Sequence, residues 1–106
     1  MRFFCPYLRG EVEWTEERQR HVAARHPDLL PDHGNLIPST IADPDEVRRS
    51  VRFGNARLFS RCFSELRDGK HVVVVVISDE AGGRHWIVTA YMARKLTKGV
   101  VEWKRS

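Results

Sequence analysis

The chain has 106 residues, enough for one domain around one hydrophobic core. Apolar residues make up 42% and charged residues 30%, an ordinary globular mix that does not suggest disorder, and the longest apolar run, 72–77, is too short to span a bilayer. The net charge of +4 favours a polyanionic partner over a cationic one. Arginine far outnumbers lysine, and its planar fork grips phosphate bidentately and stacks on bases. An arginine-favouring codon composition gives the same excess.

No apolar segment of signal-peptide length precedes Pro6. The expectation is a soluble, cytoplasmic protein of one domain, 1–106, with a secreted toxin tip of a longer parent as the alternative. Cys5 and Cys62 match no zinc spacing and form no CxxC, so one buried and one near-surface thiol are expected.

The first predicted element is a helix over 16–25. Thr15 is its N-cap, and Glu16 and Glu17 sit in the first turn, where the helix dipole favours negative charge. Pro27 stops it, because proline forces the preceding residue, His26, out of helical geometry. His21 and Arg25, four apart, share a face, and Val22 points to the core. Residues 27–39, rich in proline, glycine, asparagine and aspartate, read as a loop pinned by Leu29, Leu30, Leu36 and Ile37. A second short helix is expected from Asp43 (N-cap) and Pro44 (first turn), with Val47 and Val51 as its buried stripe and Gly54-Asn55 as its stop.

Strands follow. Residues 56–66 alternate, with Leu58, Ser60 and Cys62 on one face and Arg57, Phe59, Arg61 and Phe63 on the other. Asp68-Gly69 signals a tight hairpin. The valine run in 71–78 reads as a central strand buried on both sides. After a turn over 79–83, residues 84–92 form the third strand, with Trp86, Val88, Ala90 and Met92 on one face and His85, Ile87, Thr89 and Tyr91 on the other. Residues 100–103 make a fourth. The fold class expected is α+β, one or two N-terminal helices packed on a four-stranded antiparallel meander.

RNA is cut without a metal when its 2′-hydroxyl attacks the neighbouring phosphate. A base takes the hydroxyl proton, an acid protonates the leaving 5′-oxygen and a cation stabilises the phosphorane. Histidine suits the proton roles and arginine the electrostatic one. His21, Arg25 and His26 on or just past the first helix, Arg57 and Arg61 on the first long strand, and Thr89 and Tyr91 on the third supply such a kit. Arg57, Lys70 and Arg84 are candidate RNA-binding cations. Ordinary surface and cap roles account for most of these residues taken singly. A zinc site built from His21, His26, His33 and His85 with Asp28 or Asp32 lacks any standard metal spacing, and no cofactor is expected.

Three segments in order, His21-Val-Ala-Ala-Arg25-His26-Pro27, Asp43-Pro44-Asp45-Glu46-Val47 and Thr89-Ala90-Tyr91, give the chain a likeness to a known group. Over residues 14–103 it resembles the phage-type nuclease domains of the barnase–EndoU–colicin–RelE superfamily. The resemblance implies helices followed by a four-stranded antiparallel sheet and a metal-independent ribonuclease, often a toxin or phage effector. It carries over His21, Arg25, His26, Arg61, Thr89 and Tyr91 as site residues, without fixing which histidine is base and which acid. An acidic antitoxin or immunity protein is a partner such an activity implies. The alternative is a non-catalytic RNA-binding or protein-interaction module of the same fold.

Overall fold

The computed structural model describes residues 1–66, 69–79 and 81–106. Seven strands form one mixed sheet: β1 Arg2–Cys5, β2 Gly10–Glu13, β3 Glu46–Arg49, β4 Ala56–Cys62, β5 His71–Asp79, β6 Arg84–Ala93 and β7 Val100–Lys104, in the spatial order β1-β2-β6-β5-β4-β3-β7. Two helices, α1 Glu16–Arg25 and α2 Leu36–Ala42, complete it. The expected four-stranded antiparallel sheet is therefore corrected. The sheet has three more strands, and β2 pairs with β6 in parallel, through Val12↔His85 and Glu13↔Trp86. Among the described residues no helix is long and apolar enough to cross a membrane.

α1 forms as its caps dictate. Thr15 accepts from the Arg18 N–H at 3.2 Å, and His26, outside helical geometry at φ −132, closes the C-terminus through its N–H to the Val22 carbonyl. The second helix is displaced from its expected place. It occupies 36–42, inside the predicted loop, because Leu36, Ile37 and Ile41 all bury against the sheet. Asp43 is its C-cap, not an N-cap. Residues 46–49 are a strand held between β4 and β7, with Val47 buried and Val51 75% exposed rather than sharing a stripe. The acidic residues of this segment bind strand ends: Asp45 accepts from the Cys62 N–H at 2.7 Å, and Asp43, read as a helix N-cap, accepts from Arg105.

β5 takes the centre, with three strands on each side. Its Val72, Val74 and Val76 meet Phe59, Val47, Ala90, Val22, Leu36, Ile37 and Ile41 in the core, which fixes the covered face of the sheet. Val73, Val75 and Ile77 alternate onto the opposite face. The expected alternation of β6 is broken by a bulge. Val75 faces Thr89 but Val76 faces Ile87, so Val88 has no partner residue. Ile87 thereby joins Ala90 in the core, and Thr89 and Tyr91 keep to the open face. The bulged Val88 carbonyl accepts from Arg18 of α1 at 3.2 Å.

β4 and β5 pair antiparallel as expected of a hairpin, but Arg67 and Asp68 of the predicted turn, and Glu80 of the next one, lie outside the described residues. Cys5 is buried and Cys62 exposed, both as free thiols.

Candidate functional site

On the open face, Ser60, Val73 and Tyr91 stand in register across β4, β5 and β6, and Leu58, Val75 and Thr89 form the next row. Arg48 on β3 lies opposite Leu58. The β6–β7 connection, 94–99, crosses this face and brings Lys95, Leu96, Thr97 and Lys98 over it. Together these residues enclose a cleft of about 130 Å³, lined by Arg48, Leu58, Ser60, Val73, Tyr91 and the 95–98 segment.

Two polar atoms on the wall of this cleft are buried without a hydrogen-bond partner, Arg48 Nε and Ser60 Oγ. Buried polar groups are normally paired with protein, water or ligand, so these two, like Trp14 Nε1 and His71 Nδ1 elsewhere, are open to a water or a polar ligand. Arg48 spends other donors on Glu46, at 3.5 Å, and on the Lys98 carbonyl. Its Nε remains, beside a hydroxyl that can donate. The kit suits an anion.

The end of α1, a helix packed on the covered face through Val22, comes near Tyr91. With the helix stopped at Arg25, His26 swings away from the helical path, and its ring comes to 5.9 Å from the ring of Tyr91, tilted by 39°. The Lys98 ammonium lies 5.3 Å from the centre of the Tyr91 ring, a cation–π distance. Burial pushes the Tyr91 phenol up, so it stays a neutral O–H donor near neutral pH. His21 is half-buried one turn before Arg25. Desolvation, with like charge from Arg18, Arg25 and His26, holds its imidazole below its ordinary value. A neutral imidazole at pH 7 is the form a general base needs.

The structure thus brings His26 together with Tyr91, sets Thr89 in the row beside Tyr91, and places His21 and Arg25 on the helix end that leads to them. It does not bring in the other arginines. Arg61 lies on the covered face, in register with Val72, 3.7 Å from Asp43 and 5.1 Å from the Phe63 ring. Arg57, only 14% exposed, donates to Glu102 at 2.8 Å on that face. Lys70 sits at the start of β5, its carbonyl accepting from Phe63. Arg84 is at the far end of β6, paired with Glu13 at 3.2 Å and stacked over Trp86. Strand alternation opposes Arg57 and Arg61 to Tyr91, because residues in register share a face and their neighbours do not.

Sequence reasoning missed Arg48, Ser60, Lys95 and Lys98. Ser60 was legible as a partner of Leu58 on one strand face. The others depend on a strand read as a helix and on a connection with no periodic signal. Among the described residues, no three of the histidine, cysteine, aspartate and glutamate side chains are grouped to hold a metal ion, so His21, His26, His33 and His85 with Asp28 or Asp32 do not gather.

No protein-family model, curated protein or solved structure matches the chain.

Proposed function

We propose that the chain is an endoribonuclease that works without a metal at the corner of the open face where α1 meets β6. One arrangement carries this reading. The His26 and Tyr91 rings adjoin, with the Lys98 ammonium near the Tyr91 ring, beside a cleft whose Arg48 Nε and Ser60 Oγ have no protein hydrogen-bond partner. Imidazole for protons, cations for phosphate charge and neutral hydroxyls for phosphate oxygens are the needs of 2′-hydroxyl attack. No carboxylate is among the residues that line the cleft, and Glu46, in register with Ser60, is paired with Arg48 at 3.5 Å.

In this mechanism Arg48, Lys98 and Ser60 hold the scissile phosphate, and the Tyr91 and Thr89 hydroxyls orient its oxygens. One of His21 and His26 takes the 2′-hydroxyl proton as O2′ bonds to phosphorus. The other gives a proton to O5′ as the P–O5′ bond breaks. The products are a 2′,3′-cyclic phosphate and a free 5′-hydroxyl, with no water consumed. Arg61 and Arg57 take no part, being engaged on the far face.

The test is the chemistry of the cut ends. A single-stranded RNA incubated with the protein in excess chelator is expected to yield 2′,3′-cyclic phosphate and 5′-hydroxyl termini, and a 2′-deoxy substitution at the cut position to block cleavage. Intact RNA, or 5′-phosphate termini, overturns the proposal.

A further inference from the structure

The small cleft does not end at Lys98. A second, larger hollow of about 470 Å³ opens on its other side, lined by Val51, Arg52, Phe53, Leu58, Val75, Thr89, Tyr91, Thr97, Lys98 and neighbours. The two hollows share Leu58, Tyr91, Thr97 and Lys98, so they are adjacent compartments of one groove. They differ in chemistry. The first has the unpartnered Arg48 Nε and Ser60 Oγ and two lysines. The second is largely apolar, and its rim carries Phe53, 59% exposed, with the Arg52 guanidinium 5.6 Å from its ring.

Phe53 and Val51, 75% exposed, put two apolar side chains at this rim. The 50–54 segment is built to hold Phe53 there: Ser50 Oγ accepts from the Arg52 and Phe53 N–H groups, both at 3.2 Å, and the Gly54 carbonyl is taken by Arg49. No acidic side chain lines either compartment, while Arg48, Arg52, Lys95 and Lys98 do. An apolar, aromatic-rimmed hollow next to an anion-sized cationic one, with no carboxylate in either, matches a nucleotide unit: a flat base beside its phosphate.

We propose that the Phe53 hollow is a base subsite, taking one unpaired nucleobase of a single-stranded nucleic acid whose phosphate occupies the Arg48–Ser60 cleft. This rests on the same groove as the nuclease reading but needs no cleavage. Duplexes are excluded from it, because a paired base cannot leave its stack to lie against Phe53. Recognition is by stacking, so it tolerates any base and discriminates against its absence.

The experiment measures binding with probes that cannot be cut. Fluorescence anisotropy follows a labelled 2′-O-methyl oligouridine hexamer, and an abasic hexamer of the same length and charge, on the full chain. Wild type is expected to bind the base-bearing hexamer about tenfold or more tightly than the abasic one. Phe53→Ala, at an exposed position, removes that preference and leaves abasic binding as it was, while Phe53→Trp restores it. Equal binding of the two hexamers by wild type, or an equal loss of both in Phe53→Ala, overturns the proposal. So does absence of binding to either. A uridine monophosphate that binds as tightly as the hexamer overturns the strand and leaves a free nucleotide as the ligand. Base-dependent hexamer binding without RNA cleavage supports this inference and refutes the nuclease reading, which keeps the two failures apart.

Discussion

Glu102 of β7 accepts from the Tyr7 hydroxyl at 2.8 Å, across 95 residues of chain, and the same carboxylate oxygen takes the Arg57 Nε at 2.8 Å. Its other oxygen holds Arg49 at 2.8 Å. One carboxylate thus ties the turn after β1 to β3, β4 and β7, and Tyr7 meets Phe59 edge-on and Trp103 at a tilt around it. This knot explains why Arg57 is a structural residue although its type and strand suggest a ligand contact.

The knot sets a pH dependence. Burial opposes the Glu102 charge, but hydrogen bonds from Arg57, Tyr7 and Arg49 outweigh it and pull the carboxyl from 4.5 to about 2. A carboxyl held lower in the folded state contributes stability above its unfolded value and loses it as pH falls. That contribution is full above about pH 4.5 and disappears by about pH 2. Glu102→Gln should cost about 2 kcal/mol at pH 7, less than the shift alone implies because the carboxylate is 24% exposed and screened. Denaturant melts of wild type and variant should converge between pH 4.5 and 2. A gap that stays constant over that range contradicts the assignment.

At the other edge of the groove, Gly99 fixes the segment that carries Lys98. Its φ is +81, and a Cβ there would lie 2.7 Å from the Arg49 carbonyl oxygen and 3.2 Å from Arg48 Cβ. Both the backbone angle and the close approach require glycine. Gly99→Ala is expected to cost on the order of 2 kcal/mol, lowering Tm by roughly 10 °C, and to weaken RNA binding by shifting Lys98 from Tyr91. An unchanged Tm in a calorimetric scan refutes it.

The position of the acid limb of cleavage follows from His21. Desolvation and the charges of Arg18, Arg25 and His26 hold the imidazole below 6.5, so the free base persists to lower pH than for an exposed histidine. If His21 takes the 2′-hydroxyl proton, kcat/KM falls only below pH 6.5, and Arg25→Gln moves that limb upward towards 6.5. A limb above 6.5, unmoved by Arg25→Gln, assigns the base role elsewhere.

How much of this was legible beforehand depends on the range of the interactions. α1 was readable because Thr15, Glu16, Glu17 and Pro27 act within a turn of the helix they bound. The centre of the sheet was readable because a run of valines leaves little choice but a central strand, although only one of its faces is fully covered and Val75 and Ile77 on the other are partly exposed. Residues 43–49 were misread because Asp43-Pro44-Asp45-Glu46 carries helix-start chemistry, while the pairing that decides the matter comes from β4 and β7, distant in sequence. The β1–β2 hairpin has four-residue strands with no clean alternation, and its parallel contact with β6 has no local signal. The Val88 bulge likewise leaves no mark in an apparently regular strand, yet it decides that Ile87 goes inward while Thr89 and Tyr91 face the groove. At the site, the helix-borne His26 and the strand-borne Tyr91 could be named, but Arg48 and Lys98 could not, since only the folded chain sets them against Ser60.

The reading of the open face depends on sidedness, and cleavage by variants of opposite faces measures it directly. A defined single-stranded RNA is incubated in chelator with wild type, His26→Ala and Arg61→Ala, each confirmed folded by circular dichroism. The account predicts that His26→Ala loses about a hundredfold or more in kcat/KM, as loss of a general acid or base does, while Arg61→Ala cleaves like wild type. Undiminished cleavage by His26→Ala would remove His26 from the chemistry, loss of cleavage in Arg61→Ala alone would place it on the covered face, and either result would contradict the account.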